Sequence, residues 1–222
     1  MSDRNTTRDR VQSALAGTIL RLALCLPYSK RLAVVGWIMR KLVAPMAGWH
    51  ARIRANVAHA LPDLDAKETK RLIDGVCDNI GRSLIEIYSG REFLDHVKNS
   101  PMVGPGVEAL NATRAENRPT ILLTAHLGNY DAVRGTLAND GMPMAALYRP
   151  MRNASFNAHY LKAISSIAEP VFPVGRAGVK GLVQHLKAGG VIGIVADVAV
   201  GRAPFLTFFG QRALTSVSAA EW

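Results

Sequence analysis

Cysteine is scarce in this sequence: Cys25 and Cys77 stand far apart, which gives neither a metal-ligand spacing nor a disulfide framework. That pattern suits a reducing, cytoplasmic environment. The six histidines form no H-E-x-x-H or other paired spacing, so metal-dependent catalysis has no candidate cluster. Aromatic residues make up only 6% of the chain, too few to favour a surface that stacks nucleic-acid bases. A phosphate-binding G-x-x-x-x-G-K-[ST] loop and a G-x-S-x-G elbow are both missing, and the glycines of "GVIGIVAD" lack the spacing of a dinucleotide fingerprint. No metal and no cofactor are expected. Apolar residues are plentiful, at 49%, which excludes a disordered chain. The 222 residues suffice to bury one core with a helical appendage.

Acidic residues are nearly missing from the first quarter. Residues 1–54 hold ten Lys/Arg against Asp3 and Asp9, so most of the net charge of +10 sits there. Nucleic acid or an anionic membrane surface would attract such a segment. The stretches between its charges decide for the membrane: "VQSALAGTIL", "LALCLPYS", "LAVVGWIM" and "LVAPMAGW" are hydrophobic on nearly all sides, with Trp37 and Trp49 near basic residues. Arg21 interrupts the longest apolar stretch and would be costly at a bilayer centre. Helices lying in the interface are therefore expected over a single N-terminal anchor. A DNA-binding arm would be more polar. A cleaved signal peptide fits poorly, because Asp3 lies in the start and no small-x-small site follows the apolar run.

Residues 1–49 are read as this membrane-associating segment, residues 50–100 as a helical region packing on the core, and residues 101–222 as an α/β core. In the second region "HARIRANVAHAL" ends at Pro62. The next helix is capped by Asp63 or Asp65, with Leu72, Val76, Ile80, Leu84 and Ile87 on one apolar face. "NSPMVGPGVEAL" reads as a turn-rich joint. From residue 119 the pattern alternates: strands at "TILLTA", "MAALYRP", "PVFPV", "VIGIVAD" and "PFLTFF", with helices between the first four. Fully apolar strands alternating with helices predict a mostly parallel core sheet flanked by helices. Ligands of such sheets gather beyond the carboxyl ends of the strands. His126, Arg149, Arg176 and Asp197 all follow predicted strands, so one face can gather all four.

"TAHLGNYDAV" places His126 at a strand end and Asp131 in the first turn of the next helix, with Gly128 and Asn129 between them. Asn129 is a good helix cap. On one continuous helix, positions five apart would face away from each other. Across a turn, the Asp131 carboxylate can fold back on the imidazole, fix its tautomer and leave the other nitrogen as a base. The plain alternative is a strand-end histidine bonded to a helix cap.

"HLGNYDAV" resembles the H-x4-(D/E) block of the glycerolipid acyltransferase superfamily, and most closely that of the lipid A biosynthesis (lauroyl/myristoyl) acyltransferases. "RANVAHALPDL", "IGRSLIEIY", "ALYRP", "GRAGVKGLVQHLKAGGVIGIVAD" and "PFLTFFGQRALTS" resemble further blocks of that family, in its order, over nearly all of residues 15–219. The resemblance implies a membrane-associated enzyme at the cytoplasmic face of the cell inner membrane. It would move a fatty acyl chain from a thioester, acyl-carrier protein or coenzyme A, to a hydroxyl of a lipid A precursor. His126 would be the general base and Asp131 its partner. Gly128, Asn129, Arg149, Arg176 and Asp197 would line the substrate site. Val198 stands where the family usually has Gln or His. Family members usually continue beyond "TSVSAAEW", so the C-terminal part of the fold is expected to be missing. The alternatives are the same chemistry on a lysophospholipid or other glycolipid, or a truncated, non-catalytic membrane-bound remnant.

Overall fold

A computed structural model describes residues 7–198 and 203–221; Asp3 and Arg4, counted above in the basic segment, lie outside the described residues. The chain begins with helices α1 (Thr7–Leu24) and α2 (Tyr28–Ile38), a π-helical turn (Met39–Val43) and helices α3 (Ala44–Met46), α4 (Trp49–Ala60), α5 (Ala66–Tyr88), α6 (Arg91–Lys98) and α7 (Val107–Ala115). Strands and helices then alternate: β1 (Thr120–Thr124), α8 (Asp131–Asn139), β2 (Met144–Tyr148), α9 (Ala154–Ser165), β3 (Val171–Pro173), α10 (Arg176–Lys187) and β4 (Val191–Val195). β5 (Phe205–Phe208), β6 (Gln211–Leu214) and α11 (Ser218–Glu221) follow. Contacts define two units. Among the described residues, one comprises 7–18, 87–197 and 218–221, and the other comprises 19–86, 198 and 203–217.

The first unit carries a four-stranded parallel sheet in the order β1-β4-β2-β3. Its strands are mostly apolar, and helices pack on both sheet faces. Successive residues of a strand point to opposite faces, and two adjacent pairs show the result. Met144 and Val191 pack with Leu110 of α7 and Leu137 of α8. Their neighbours Ala145 and Ile192 pack with Leu182 and Leu186 of α10 on the other face. Each fully buried Leu or Ile contributes roughly 1.5–3 kcal/mol over an exposed one, so these two layers hold the sheet that carries the site. Helix α7 occupies part of what reads in sequence as a turn-rich joint.

In the second unit the side chain of Asp65 accepts the Glu68 backbone N–H at 2.7 Å and caps α5. The buried stripe of α5 is Ile73, Cys77, Gly81 and Ile85, and Val76 and Ile80 of the expected apolar face are exposed. The face is turned because a small residue, Gly81, lets the helix approach α2. A Cβ there would lie 2.7 Å from the Val35 carbonyl oxygen, and one at Gly36 would lie 2.8 Å from an Asp78 oxygen. Ala44, Ile73 and Cys77 form a small core with Trp49 and Ile53. Both cysteines are free thiols.

"PFLTFF" does not join the core sheet. β5 pairs antiparallel with β6 alone. Phe209 (φ 52°) and Gly210 (φ 71°) are both left-handed, the backbone of a two-residue hairpin turn that folds the strand straight back on its neighbour. Among the described residues, no helix is long and apolar enough to cross a membrane.

Candidate active site

The site grows from the pairing of β1 with β4. In that register Thr124 lies opposite Val195, and the Ala196 N–H donates to the Thr124 carbonyl at 3.0 Å, just past the paired ends. His126 is two residues beyond Thr124, and Asp197 is two residues beyond Val195. Equal offsets on adjacent parallel strands bring them side by side.

Asp197 then holds His126 twice. One carboxylate oxygen accepts the His126 backbone N–H at 2.9 Å, and the other lies 2.7 Å from the ring Nδ1. Burial pushes the Asp197 carboxyl up, but the hydrogen bonds from the His126 backbone and ring outweigh it, so its pKa lies below the ordinary carboxylate value. An ionised carboxylate at Nδ1 favours the tautomer with its proton on that nitrogen. Nε2 is then left as the basic lone pair of a half-exposed ring. Tyr130 sets its ring edge-on to the imidazole, with centroids 5.1 Å apart.

The turn after His126 is built by Gly128 and Asn129. Gly128 takes φ 57°, a left-handed conformation that costs glycine little. The Asn129 side chain accepts the Asp131 N–H at 3.0 Å, so it does start the helix, although Tyr130 holds the formal cap position of α8.

Asp131 takes a different place from the one expected of it. Its carboxylate is 2% exposed and accepts a bond from Arg134 Nη1 at 2.6 Å. Arg134 is also buried and donates through Nη2 to the Ala168 carbonyl at 2.6 Å. The pair ties α8 to the chain just after α9. The carboxylate that meets the imidazole is Asp197. Burial first, and the Asp131 charge second, push the phenols of Tyr130 and Tyr160 up.

Arg149 follows the last residue of β2, and Arg176 opens α10 after β3; both are exposed. The Val174 N–H donates to the Tyr148 carbonyl at 2.8 Å, so these two strand ends also stay together. No hydrogen bond or ion pair joins either guanidinium to His126 or Asp197 among the described residues. The sheet order sets Arg149 two strands from His126, about 10 Å across the edge at the usual strand spacing. Arg134, Tyr130 and Tyr160 were missed as neighbours of the site. The R of "DAVRG" three positions after Asp131 was the available signal for the buried pair. Of the other histidines, His59, His96 and His159 are exposed, while His50 and His185 are partly buried, each with an Nε2 that has no hydrogen-bond partner among the described residues.

A parallel α/β sheet with a carboxylate-held histidine at its carboxyl edge defines a class of base-equipped transfer or hydrolytic enzymes. Residues 4–222 match the family model described as bacterial lipid A biosynthesis acyltransferase, and the chain belongs to that family. It is thus an acyltransferase of lipid A biosynthesis, a class that uses an acyl thioester donor and a lipid acceptor. No curated protein matches the chain at a significant level.

Proposed function

We propose that His126 Nε2 is the general base that takes the proton of an acceptor hydroxyl on a lipid A precursor. The oxygen attacks the thioester carbonyl of acyl-carrier protein or coenzyme A. The C–S bond then breaks, and the leaving thiolate takes the proton back from the imidazolium. No protein nucleophile is needed, because the acceptor supplies its own. Asp197 orients the ring and stabilises its charged form during the transfer. Asp131 acts one step further away, by fixing α8 through Arg134. The oxyanion would be met by backbone N–H groups where α8 starts beyond Gly128 and Asn129. Arg149 and Arg176 are suited to an acidic group of either substrate.

The observation that carries this reading is the 2.7 Å contact between Asp197 and His126 Nδ1. Apolar surface beside it supports an acyl substrate: Leu123 and Leu127 are 64% and 80% exposed on either side of the histidine. The basic, apolar residues 1–49 would lie in the interface of an anionic membrane, at the cytoplasmic face of the inner membrane. A His126→Ala protein should keep its fold, because the side chain is half-exposed, and should lose acyl transfer. Near-normal turnover by a folded variant would overturn the assignment.

A further inference from the structure

The second unit holds an open cavity of about 720 Å³ between α2, its π-helical turn and α5. Its wall carries five cations, Arg40, Lys67, Lys70, Arg71 and Arg82, against the carboxylates of Asp74 and Asp78. Three of the cations have partners: Lys70 pairs with Asp74 at 2.8 Å, Arg71 with Glu68 at 2.8 Å, and Arg82 with Asp78. Arg40 and Lys67 form no ion pair among the described residues, although the Arg40 charge helps to hold the Asp74 pKa down. Arg40 Nε is buried without a hydrogen-bond acceptor among the described residues, while the residue as a whole is partly exposed and lines the cavity. Arg40 also sits in the π-helical turn, a local irregularity often found where a side chain is aimed at a ligand. Opposite, Gly75 keeps the α5 side of the cavity empty, since a Cβ there would meet nothing within 4 Å.

The surface beside the cavity tells what kind of anion fits. Lys30, Val34, Trp37 and Lys41 recur at helical spacing, and all are exposed. Two apolar side chains facing solvent between two lysines suit a helix lying in a headgroup layer, and Trp37 belongs to the cavity wall itself. We propose that this cavity binds the phosphate headgroup of an anionic membrane lipid, with Arg40 and Lys67 as the phosphate ligands and Trp37 in the apolar layer above. The inference rests on the interfacial placement proposed above for residues 1–49 and goes beyond it by assigning a shaped site.

Sedimentation of the full chain with phosphatidylcholine vesicles, with and without phosphatidylglycerol, tests it. Arg40→Gln and Gly75→Met should each weaken binding to the phosphatidylglycerol vesicles about fivefold or more, the scale of one basic contact at a membrane surface. Arg52→Gln, an equal loss of charge at an exposed position outside the cavity, should have a smaller effect. Gly75→Met alters no charge and introduces a better helix former, so its loss of binding would report the cavity and not the field. Unchanged thermal unfolding would show that both cavity variants fold. If Arg52→Gln matched Arg40→Gln and Gly75→Met had no effect, attraction would be diffuse and the site would be refuted, with membrane binding intact. Equal binding of the wild-type chain to both vesicle types would refute the site and the anionic-surface reading together. Loss of binding to an acidic carrier protein in both cavity variants, with vesicle binding unchanged, would assign the cavity to that partner and overturn the lipid.

Discussion

His126 and Asp197 are 71 positions apart in the chain and 2.7 Å apart at their side chains. They meet because β4, the last strand of the parallel sheet in sequence, lies beside β1, the first. The same order pushes β2 and β3, with Arg149 and Arg176 at their ends, further along the edge. The acid close to His126 in sequence, Asp131, faces into the protein and holds Arg134.

That division separates two acids that look alike in the motif. Asp131→Asn should destabilise the protein by about 3–5 kcal/mol, because it leaves the buried Arg134 guanidinium uncompensated. Thermal or urea unfolding measures this directly. Asp197→Asn, at a partly exposed site, should cost far less stability. Equal unfolding curves for wild type and Asp131→Asn would show that the buried pair has no structural role.

The lowered pKa of Asp197 fixes the sign of a pH effect. Its hydrogen bonds to His126 contribute stability fully above the ordinary Asp value, about 3.9. That contribution is lost as pH falls through the lower folded value. In His126→Ala the ring's contribution disappears while burial remains, so the Asp197 pKa should rise. A carboxyl-carbon NMR titration of Asp197 in both proteins reads the change; an unmoved or lower pKa in the variant would contradict the contact.

Strands β1 to β4 and the helices between them were legible in sequence, because continuous apolar runs and helical periodicity alternate there without interruption. Strand order was not legible. Alternation says that β4 is parallel to β1, but not that it is its neighbour, and the His126 partner follows from neighbourhood alone. On the N-terminal side of α5 the buried stripe lies one residue beyond the apolar face expected from sequence, for a similar reason. Leu72, Val76 and Ile80 are more hydrophobic than Cys77 and Gly81, yet close approach to α2 selects glycine at 81, and Cys77 on the same stripe packs with Ala44, Ile73, Trp49 and Ile53.

Glycines of α5 should therefore respond in opposite directions. Gly81→Ala forces a Cβ to 2.7 Å from the Val35 carbonyl and should cost about 1–3 kcal/mol by overpacking. Gly75→Ala meets nothing within 4 Å and should gain up to about 1 kcal/mol from helix propensity. Melting temperatures of the two variants check both signs, and a shift of the same sign in each would contradict the packing described.

Membrane association of residues 1–49 should combine charge with apolar contact. Vesicles containing anionic lipid should bind the full chain more tightly than neutral ones, and rising salt should release part of it, because only the electrostatic share is screened. Binding that ignores both lipid charge and salt would contradict the electrostatic share.

The role of Asp197 beside His126 is read by steady-state acyl transfer from a thioester donor to a lipid A precursor in the Asp197→Asn protein. The amide can still hydrogen-bond, but it no longer stabilises the imidazolium or enforces the productive tautomer. The variant should fold, with kcat reduced on the order of 10³-fold or more. Turnover within a few-fold of wild type would contradict that role.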